Sequence, residues 1–177
     1  PHHKQIKITS ETIYLFVPLA YRLGLFAIKS ELEDLCMRYR FPEEYAEIKR
    51  KIDETEPQRH EYIERFMAPI REVLDRNKFQ YEMTARVKSV CSIWNKMRRK
   101  EIPFEEVYDL FAIRIVFKTL PFPSEKTQCW QIYSCVTDIY TPKPDRLRDW
   151  ISIPKSNGYE ALHSTVMGPD GIWVEVQ

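Results

Sequence analysis

The chain has 177 residues, 44% hydrophobic and 30% charged, with 4 glycines and a formal net charge of +1. This length suits one domain or two small ones, and the composition excludes a low-complexity chain. Near-neutrality excludes a surface that is basic all over, and four scattered cysteines with no CxxC point to a reduced, intracellular protein rather than a disulfide framework.

The first third predicts helices. Thr9, Ser10 and Glu11 give a helix start signal, and Pro18 and Gly24 divide the apolar run from Ile13 to Phe26. That run is too short and too interrupted to span a bilayer. Apolar residues at helical spacing continue from Phe26 to Arg40. Pro42 opens a helix to Lys51, and Pro57 opens another to about Arg76 with Tyr62, Phe66, Met67, Ile70, Val73 and Leu74 on one stripe. The period changes near Asn77: Phe79, Tyr81 and Met83 alternate with polar residues as a strand does. A helix is expected from Ser89 to Lys100, burying Val87, Val90, Cys91, Trp94 and Met97. Asp109–Lys118 reads as a strong strand, 119–126 as a loop and Cys129–Tyr140 as a helix. Short strands are expected at Asp149–Ile153, Leu162–Met167 and Ile172–Gln177, the last two joined by the turn Gly-Pro-Asp-Gly. The pattern divides the chain into a helical segment, 1–76, and an α/β unit with a mixed sheet, 77–177.

Chemistry concentrates in the second part. Between Arg86 and Lys100 there are six basic residues and no acid, a local positive field suited to a compact anion. Arg86 and Lys88 fall where a strand hands over to a helix, whose first N–H groups attract anions; Ser92 and Lys96 extend that site along one helical face. A solvated charged face accounts for the same pattern. Asp109 precedes the strong strand, where a carboxylate at the sheet's rim either holds Mg²⁺ together with phosphate oxygens or simply turns the chain. In the alternating Trp-Val-Glu-Val-Gln, Glu175 shares a face with Trp173 and Gln177, opposite Val174 and Val176. It either faces solvent or aims into a site, where it can share a metal or accept a proton from a sugar hydroxyl. Arg146 and Arg148, then Lys155, Asn157, Tyr159 and His163, add cations, a purine-edge partner and a ring for stacking, although Asn-Gly alone also signals a turn.

Taken in order, "RVKSVCSIWNKM", "DLFAIR", "RLRDWISIPKSNGYEALHSTVMGPDG" and "VEVQ" resemble the synthetase domain of the RelA/SpoT homologues, the enzymes of the stringent response, over about Phe79 to Gln177. "YLFVPLAYRLGLFAIKSELEDLCMRYRFPEEY" is similar to the last helices of the hydrolase domain that precedes it and to the connector. The resemblance implies an α+β fold: a helical N-terminal segment, then a nucleotidyltransferase-like, polymerase-β-type mixed sheet flanked by helices. It implies a cytoplasmic pyrophosphokinase that moves pyrophosphate from ATP to the 3′-hydroxyl of GDP or GTP, making ppGpp or pppGpp and leaving AMP. Carried over by position, Arg86 would stack on adenine, and Lys88, Ser92, Lys96 and Arg98 would surround the ATP phosphates. Asp109 and Glu175 would be the catalytic acids and would hold Mg²⁺. Arg148 and Lys155 would face the acceptor's phosphates, with Asn157 and His163 nearby, and Tyr159 would stack on guanine. Ala85, Trp150, Arg148 and Glu160-Ala161 depart mildly from the family pattern.

The family's hydrolase motif is a His-Asp pair, and no such pair occurs here, so no alarmone hydrolysis is expected of this chain. The family strand runs on beyond "VEVQ", so a C-terminally truncated piece of a longer protein is expected. Its partners would be the parent's hydrolase and C-terminal regulatory domains, with the ribosome reached only through regions outside this sequence, and neither membrane nor DNA. Two other readings stay open: a guanine-nucleotide-binding regulatory module without turnover, and an RNA-binding domain using the Arg86–Lys100 stripe.

Overall fold

The computed structural model describes residues 2–107 and 109–177, with His2 described by its backbone alone. In chain order the elements are helices α1 (His2–Glu11), α2 (Val17–Arg22), α3 (Phe26–Arg40), α4 (Pro42–Glu54) and α5 (Glu56–Arg76), strand β1 (Tyr81–Val87), helix α6 (Val90–Lys100), strand β2 (Phe111–Phe117), helix α7 (Glu125–Ile139), and strands β3 (Arg148–Asp149), β4 (Leu162–Met167) and β5 (Trp173–Val176). They gather into two compact units. One holds the residues up to Glu56 with Lys88–Val107 and Ser156–Gly158; the other holds Pro57–Val87, 109–155 and Tyr159–Gln177. No described helix is long and apolar enough to cross a membrane.

The helical unit contains α1–α4 and α6. Pro18 has no N–H for the carbonyl four residues back, and the chain just before it, Thr12–Phe16, widens into a π-helical turn. Gly24 then ends the run at φ +72, while Leu25 N–H donates to Ala20 O at 2.9 Å, closing α2 with a left-handed residue that only glycine adopts cheaply. Helix α6 starts at Ser89, whose Oγ accepts from Ser92 N–H at 3.3 Å, and stops at Glu101, which is left-handed at φ 54. Its basic last turn, Arg98 to Lys100, complements the negative end of the helix dipole. The buried face of α6 is Val90, Cys91 and Ile93, which corrects the expectation from spacing. Val87 belongs to β1 and is exposed, while Trp94 and Met97 are only half-buried. Ile93 takes the inward position at 1% exposed, and the Trp94 ring packs instead 4.7 Å from that of Phe41.

The second unit is built on a five-stranded mixed sheet in the order β1-β2-β5-β4-β3. Strand β2 is antiparallel to β1 and parallel to β5; β4 is antiparallel to β5 and β3. One face carries the core: Ile113, Val166, Val174 and Val176 pack with Phe66, Ile70 and Leu74 of α5 and Ile132 and Val136 of α7. At about 25 cal/mol per Å² of apolar surface, side chains of this size each contribute about 1.5–3 kcal/mol. Tyr140 stacks on Phe66 at 4.6 Å between ring centres and donates its hydroxyl to Phe66 O at 2.9 Å. Helix α7 starts at Ser124 rather than near Cys129, because Ser124 Oγ caps it by accepting from Thr127 N–H at 3.3 Å. Its buried Gln128 ties down the preceding loop, donating to Leu120 O at 3.0 Å and accepting from Leu120 N–H at 2.9 Å.

The strand expected at Asp149–Ile153 shrinks to Arg148–Asp149. Asp149 Oδ1 accepts from Ile151 N–H at 3.1 Å and Ser152 N–H at 2.7 Å, and this side-chain turn competes with the ladder. The Gly-Pro-Asp-Gly turn between β4 and β5 contains a demand that the turn alone does not reveal. A Cβ on Gly168 would lie 2.6 Å from Tyr62 Oη and 2.9 Å from Phe66 Cδ2, so α5 packs where any side chain would stand.

Candidate active site

The helical unit holds most of the basic stripe. Lys88 and Lys96 are half-buried, and Ser92 and Arg98 exposed, along α6 and the residue pair before it. The backbone end of that helix already meets an anion of the protein's own. Asp34 on α3 accepts from Val90 N–H at 3.2 Å and from Cys91 N–H at 2.8 Å, one through each carboxylate oxygen. This corrects the expectation that the first N–H groups of α6 serve an anionic ligand. Arg98 lies 4.7 Å over the Trp94 ring, which itself packs 4.7 Å from Phe41. Asn157 also belongs to this unit, where its Nδ2 donates to Tyr21 O at 3.2 Å.

The sheet unit brings the remaining residues to one face. In an antiparallel or parallel ladder, partners directly opposite share a face, as do residues two apart. Glu175 stands opposite Ala112, and Ala112 opposite Arg86, so Arg86 and Glu175 flank a side chain too small to separate them fully. Arg114 and Thr165 share that face, as do His163 and, opposite it, Arg148. Asp109 comes two residues before β2, half-buried. Its Cα is at most about 11 Å from that of Ala112, the reach of three extended residues.

The polar groups here meet one another. Tyr159 Oη is 2.8 Å from His163 Nε2, the rings meeting edge to face at 5.7 Å. His163 Nδ1 is 3.7 Å from Glu175 Oε1, and both side chains are largely buried, at 19% and 25% exposed. Gln177 Nε2 donates to the same Oε1 at 2.6 Å. Lys155 Nζ stands 4.8 Å from the Trp150 ring centre and 5.1 Å from that of Tyr159, so one face of Tyr159 already carries a cation. Burial pulls the His163 imidazole below its ordinary pKa; Glu175 opposes the fall, and Lys155 and Arg114 add to it. Burial raises the Tyr159 phenol, Glu175 pushes the same way, and Arg114 and Arg86 oppose. A neutral His163 has one N–H. A proton on Nδ1 would face the Glu175 carboxylate, which only accepts, and Nε2 would then accept from Tyr159. Beside this group, Arg114, Cys129, Tyr133, Tyr159, Leu162 and Gln177 border a cavity of about 340 Å³.

Residues 85–177, just over half of the chain, match the family model described as a region found in RelA / SpoT proteins. The chain belongs to the RelA/SpoT family. The guanosine-3′,5′-bis(diphosphate) 3′-pyrophosphohydrolase of Aquifex aeolicus (strain VF5) is 37% identical over 175 residues, 98% of this chain and 24% of that protein. The GTP pyrophosphokinase of Myxococcus xanthus is 38% identical over 174 residues, covering 98% and 22%. The GTP pyrophosphokinase of Escherichia coli (strain K12) is 36% identical over 177 residues, covering 100% and 23%. The chain thus spans about a quarter of the length of the curated relatives it matches. Among solved structures, the small alarmone synthetase 1 from Bacillus subtilis bound to its product pppGpp aligns over 73% of this chain and 72% of that one, at 26% identity and a TM-score of 0.47.

In this RelA/SpoT-family chain, no group of three or more His, Cys, Asp and Glu side chains among the described residues could hold a metal ion. A site with one or two carboxylates still fits Mg²⁺, which keeps waters and takes substrate phosphate oxygens. Asp109, just ahead of β2, and Glu175, opposite the start of β2, are the two hard oxygen donors at that end of neighbouring strands. Two residues of the face were not singled out from sequence. Arg114 lies two positions from Ala112, so strand parity puts it on Glu175's face once β2 pairs with β5. Gln177 shares parity with Glu175, but nothing in sequence shows that its amide turns back onto the carboxylate.

Proposed function

We propose that this chain carries the synthetase chemistry of a (p)ppGpp-making enzyme of the cytoplasm. O3′ of GDP or GTP attacks Pβ of ATP, the bond from Pβ to the oxygen bridging it to the α-phosphate breaks, AMP leaves, and the hydroxyl proton passes to a carboxylate. Glu175 is that carboxylate, or helps Asp109 to hold Mg²⁺. A bound divalent cation would neutralise phosphate charge, and the protein's own groups do the positioning. Arg86 takes the adenine, and Lys88, Ser92, Lys96 and Arg98 take the ATP phosphates. Arg148 and Lys155 take the acceptor's phosphates, with Asn157 and His163 close by, and guanine stacks on Tyr159. One observation carries the reading: Glu175 is held on a sheet face shared with Arg86, Arg114, His163 and Arg148, inside the segment that matches the family.

The test is AMP release from ATP that depends on added GDP or GTP. Glu175→Gln and Asp109→Asn should each cut the rate by about 10²–10⁴-fold while the thermal midpoint stays in place. Undiminished turnover in both variants removes the assignment. Binding of both nucleotides by calorimetry with no AMP release would make the chain a nucleotide-binding regulatory module instead.

A further inference from the structure

The sheet unit contains a chain of contacts that the proposed roles, taken residue by residue, leave unexplained. A tyrosine assigned to stack on a base needs only its ring, yet the Tyr159 hydroxyl is 2.8 Å from His163 Nε2. A histidine placed close to the acceptor's phosphates could present its ring to them, yet both nitrogens of His163 face protein: Nε2 meets Tyr159, and Nδ1 faces Glu175 Oε1 at 3.7 Å. Gln177 Nε2 donates to the same carboxylate oxygen at 2.6 Å. The residues come from three places, the segment before β4, β4 itself and β5. The ladder puts His163 on Glu175's face, two residues from Thr165, which stands directly opposite Glu175. The contact between His163 and Glu175 comes from no local motif; it exists only because β4 pairs with β5.

We infer that His163 is a positioning residue that ties the base-stacking tyrosine to the acid: Tyr159, hydrogen-bonded to His163, and Glu175, in close polar contact with it, act as one unit, with Gln177 as its second clamp. The inference rests on the synthetase reading of Tyr159 and Glu175. Its content is that seating a guanine base against Tyr159 sets the orientation of the imidazole, and the imidazole sets the orientation of the carboxylate that meets the 3′-hydroxyl. The acceptor base then influences the chemical step as well as binding. A purine nucleotide that fails to seat on Tyr159 loses rate even when it saturates the site.

The test uses the whole chain and two readouts. In the first, imidazole ¹⁵N and ¹³C spectra, with His163 assigned by its loss in His163→Gln, should show the Nδ1–H form in the ligand-free protein. Tyr159→Phe, which keeps the ring and removes only the hydroxyl, should shift the Nε2 resonance; Glu175→Gln should shift Nδ1. In the second, Tyr159→Phe should leave the KM for GDP within about threefold and lower kcat about five- to tenfold, the scale of one lost hydrogen bond. The double variant Tyr159→Phe/His163→Gln should be no slower than the worse single one, because the residues act as a unit. Unmoved His163 resonances in Tyr159→Phe overturn the inference, as does a raised KM with unchanged kcat. The two readings fail separately. If the parent chain makes no product, or Glu175→Gln keeps full turnover, the synthetase assignment falls while the spectra still decide whether the three residues form one unit. If Glu175→Gln is inactive but Tyr159→Phe matches the parent in both readouts, the synthetase assignment stands and the coupling falls.

Discussion

The helical unit and the sheet unit spend their polar residues differently. In the helical unit, several residues that look like ligand groups have a structural use nearby. Asp34 caps α6, Ser89 caps it again, Arg98 lies on Trp94, and Asn157 holds Tyr21 O. Large apolar side chains, in contrast, are left uncovered there: Tyr14 is 73% exposed and Leu15 and Leu23 62% each. In the sheet unit the core side is closed by α5 and α7, and the polar side chains of the opposite face turn toward one another around Glu175. A helix end has unsatisfied N–H groups that polar side chains are drawn to cap. A central strand has none, because its backbone groups are spent in the ladder. Polar side chains that converge on such a face therefore have less structural reason to be there, which makes the sheet face the stronger candidate for chemistry.

The contrast breaks hardest in the core under that face. Phe66 is fully buried, stacked on Tyr140 and touching the position of Gly168. Phe66→Ala should cost about 3–5 kcal/mol, from lost burial and the cavity left behind. Urea denaturation should show this as a lower midpoint. A loss under about 1 kcal/mol would mean that α5 does not form the floor of the sheet.

A smaller loss is expected at Gly168. Its φ is ordinary, so no strain arises from the backbone; the demand is purely steric, from Tyr62 Oη at 2.6 Å and Phe66 Cδ2 at 2.9 Å of an added Cβ. Both neighbours are ring groups locked in the core, and Tyr62 Oη also donates to Pro169 O at 3.0 Å. Gly168→Ala should therefore cost about 1–3 kcal/mol, the usual range for overpacking. Tyr62→Phe, which removes the nearest atom, should recover part of it in a double-mutant cycle.

Much of this architecture was legible in the sequence. The 3.6-residue stripe of α5 and the alternation in β5 marked the elements and their buried faces, because each has a wide apolar stripe or a clean period of two. The period also put Val174 and Val176 inward and Glu175 outward, as found. What failed was decided by single side chains or by distant pairing. Asp149 stopped β3 by accepting from two backbone N–H groups, and Ile93 displaced Trp94 from the buried face of α6. The strand order β1-β2-β5-β4-β3 puts β5 between β2 and β4, and no local pattern encodes that. Hence Glu175 could be named as a candidate from "WVEVQ", but Arg86 and His163 could not be read as its neighbours. Arg98 and Asn157 show the opposite case, in which a residue type that suits a nucleotide also suits a ring or a carbonyl.

The smallest expected effect tests the helical side of the contrast. Asp34 comes from α3, far in sequence from α6, and accepts from two of the four N–H groups that every helix start leaves without an intrahelical partner. Ser89 satisfies a third, at Ser92. If Asp34 is there to cap, Asp34→Ala should cost about 0.5–2 kcal/mol, the worth of an N-cap, and the damage should be local. Hydrogen exchange at the Val90 and Cys91 amides should quicken, while the Ser92 amide, held by Ser89 Oγ, should change less. Asp34→Asn keeps one acceptor oxygen and should lose less than Asp34→Ala, because the second oxygen becomes a donor that cannot serve an N–H. Equal loss of protection at all three amides would show that the whole helix start depends on Asp34. No loss at any of them would show that solvent serves those groups as well as the carboxylate does, and the helical unit's polar residues would then need another explanation than capping.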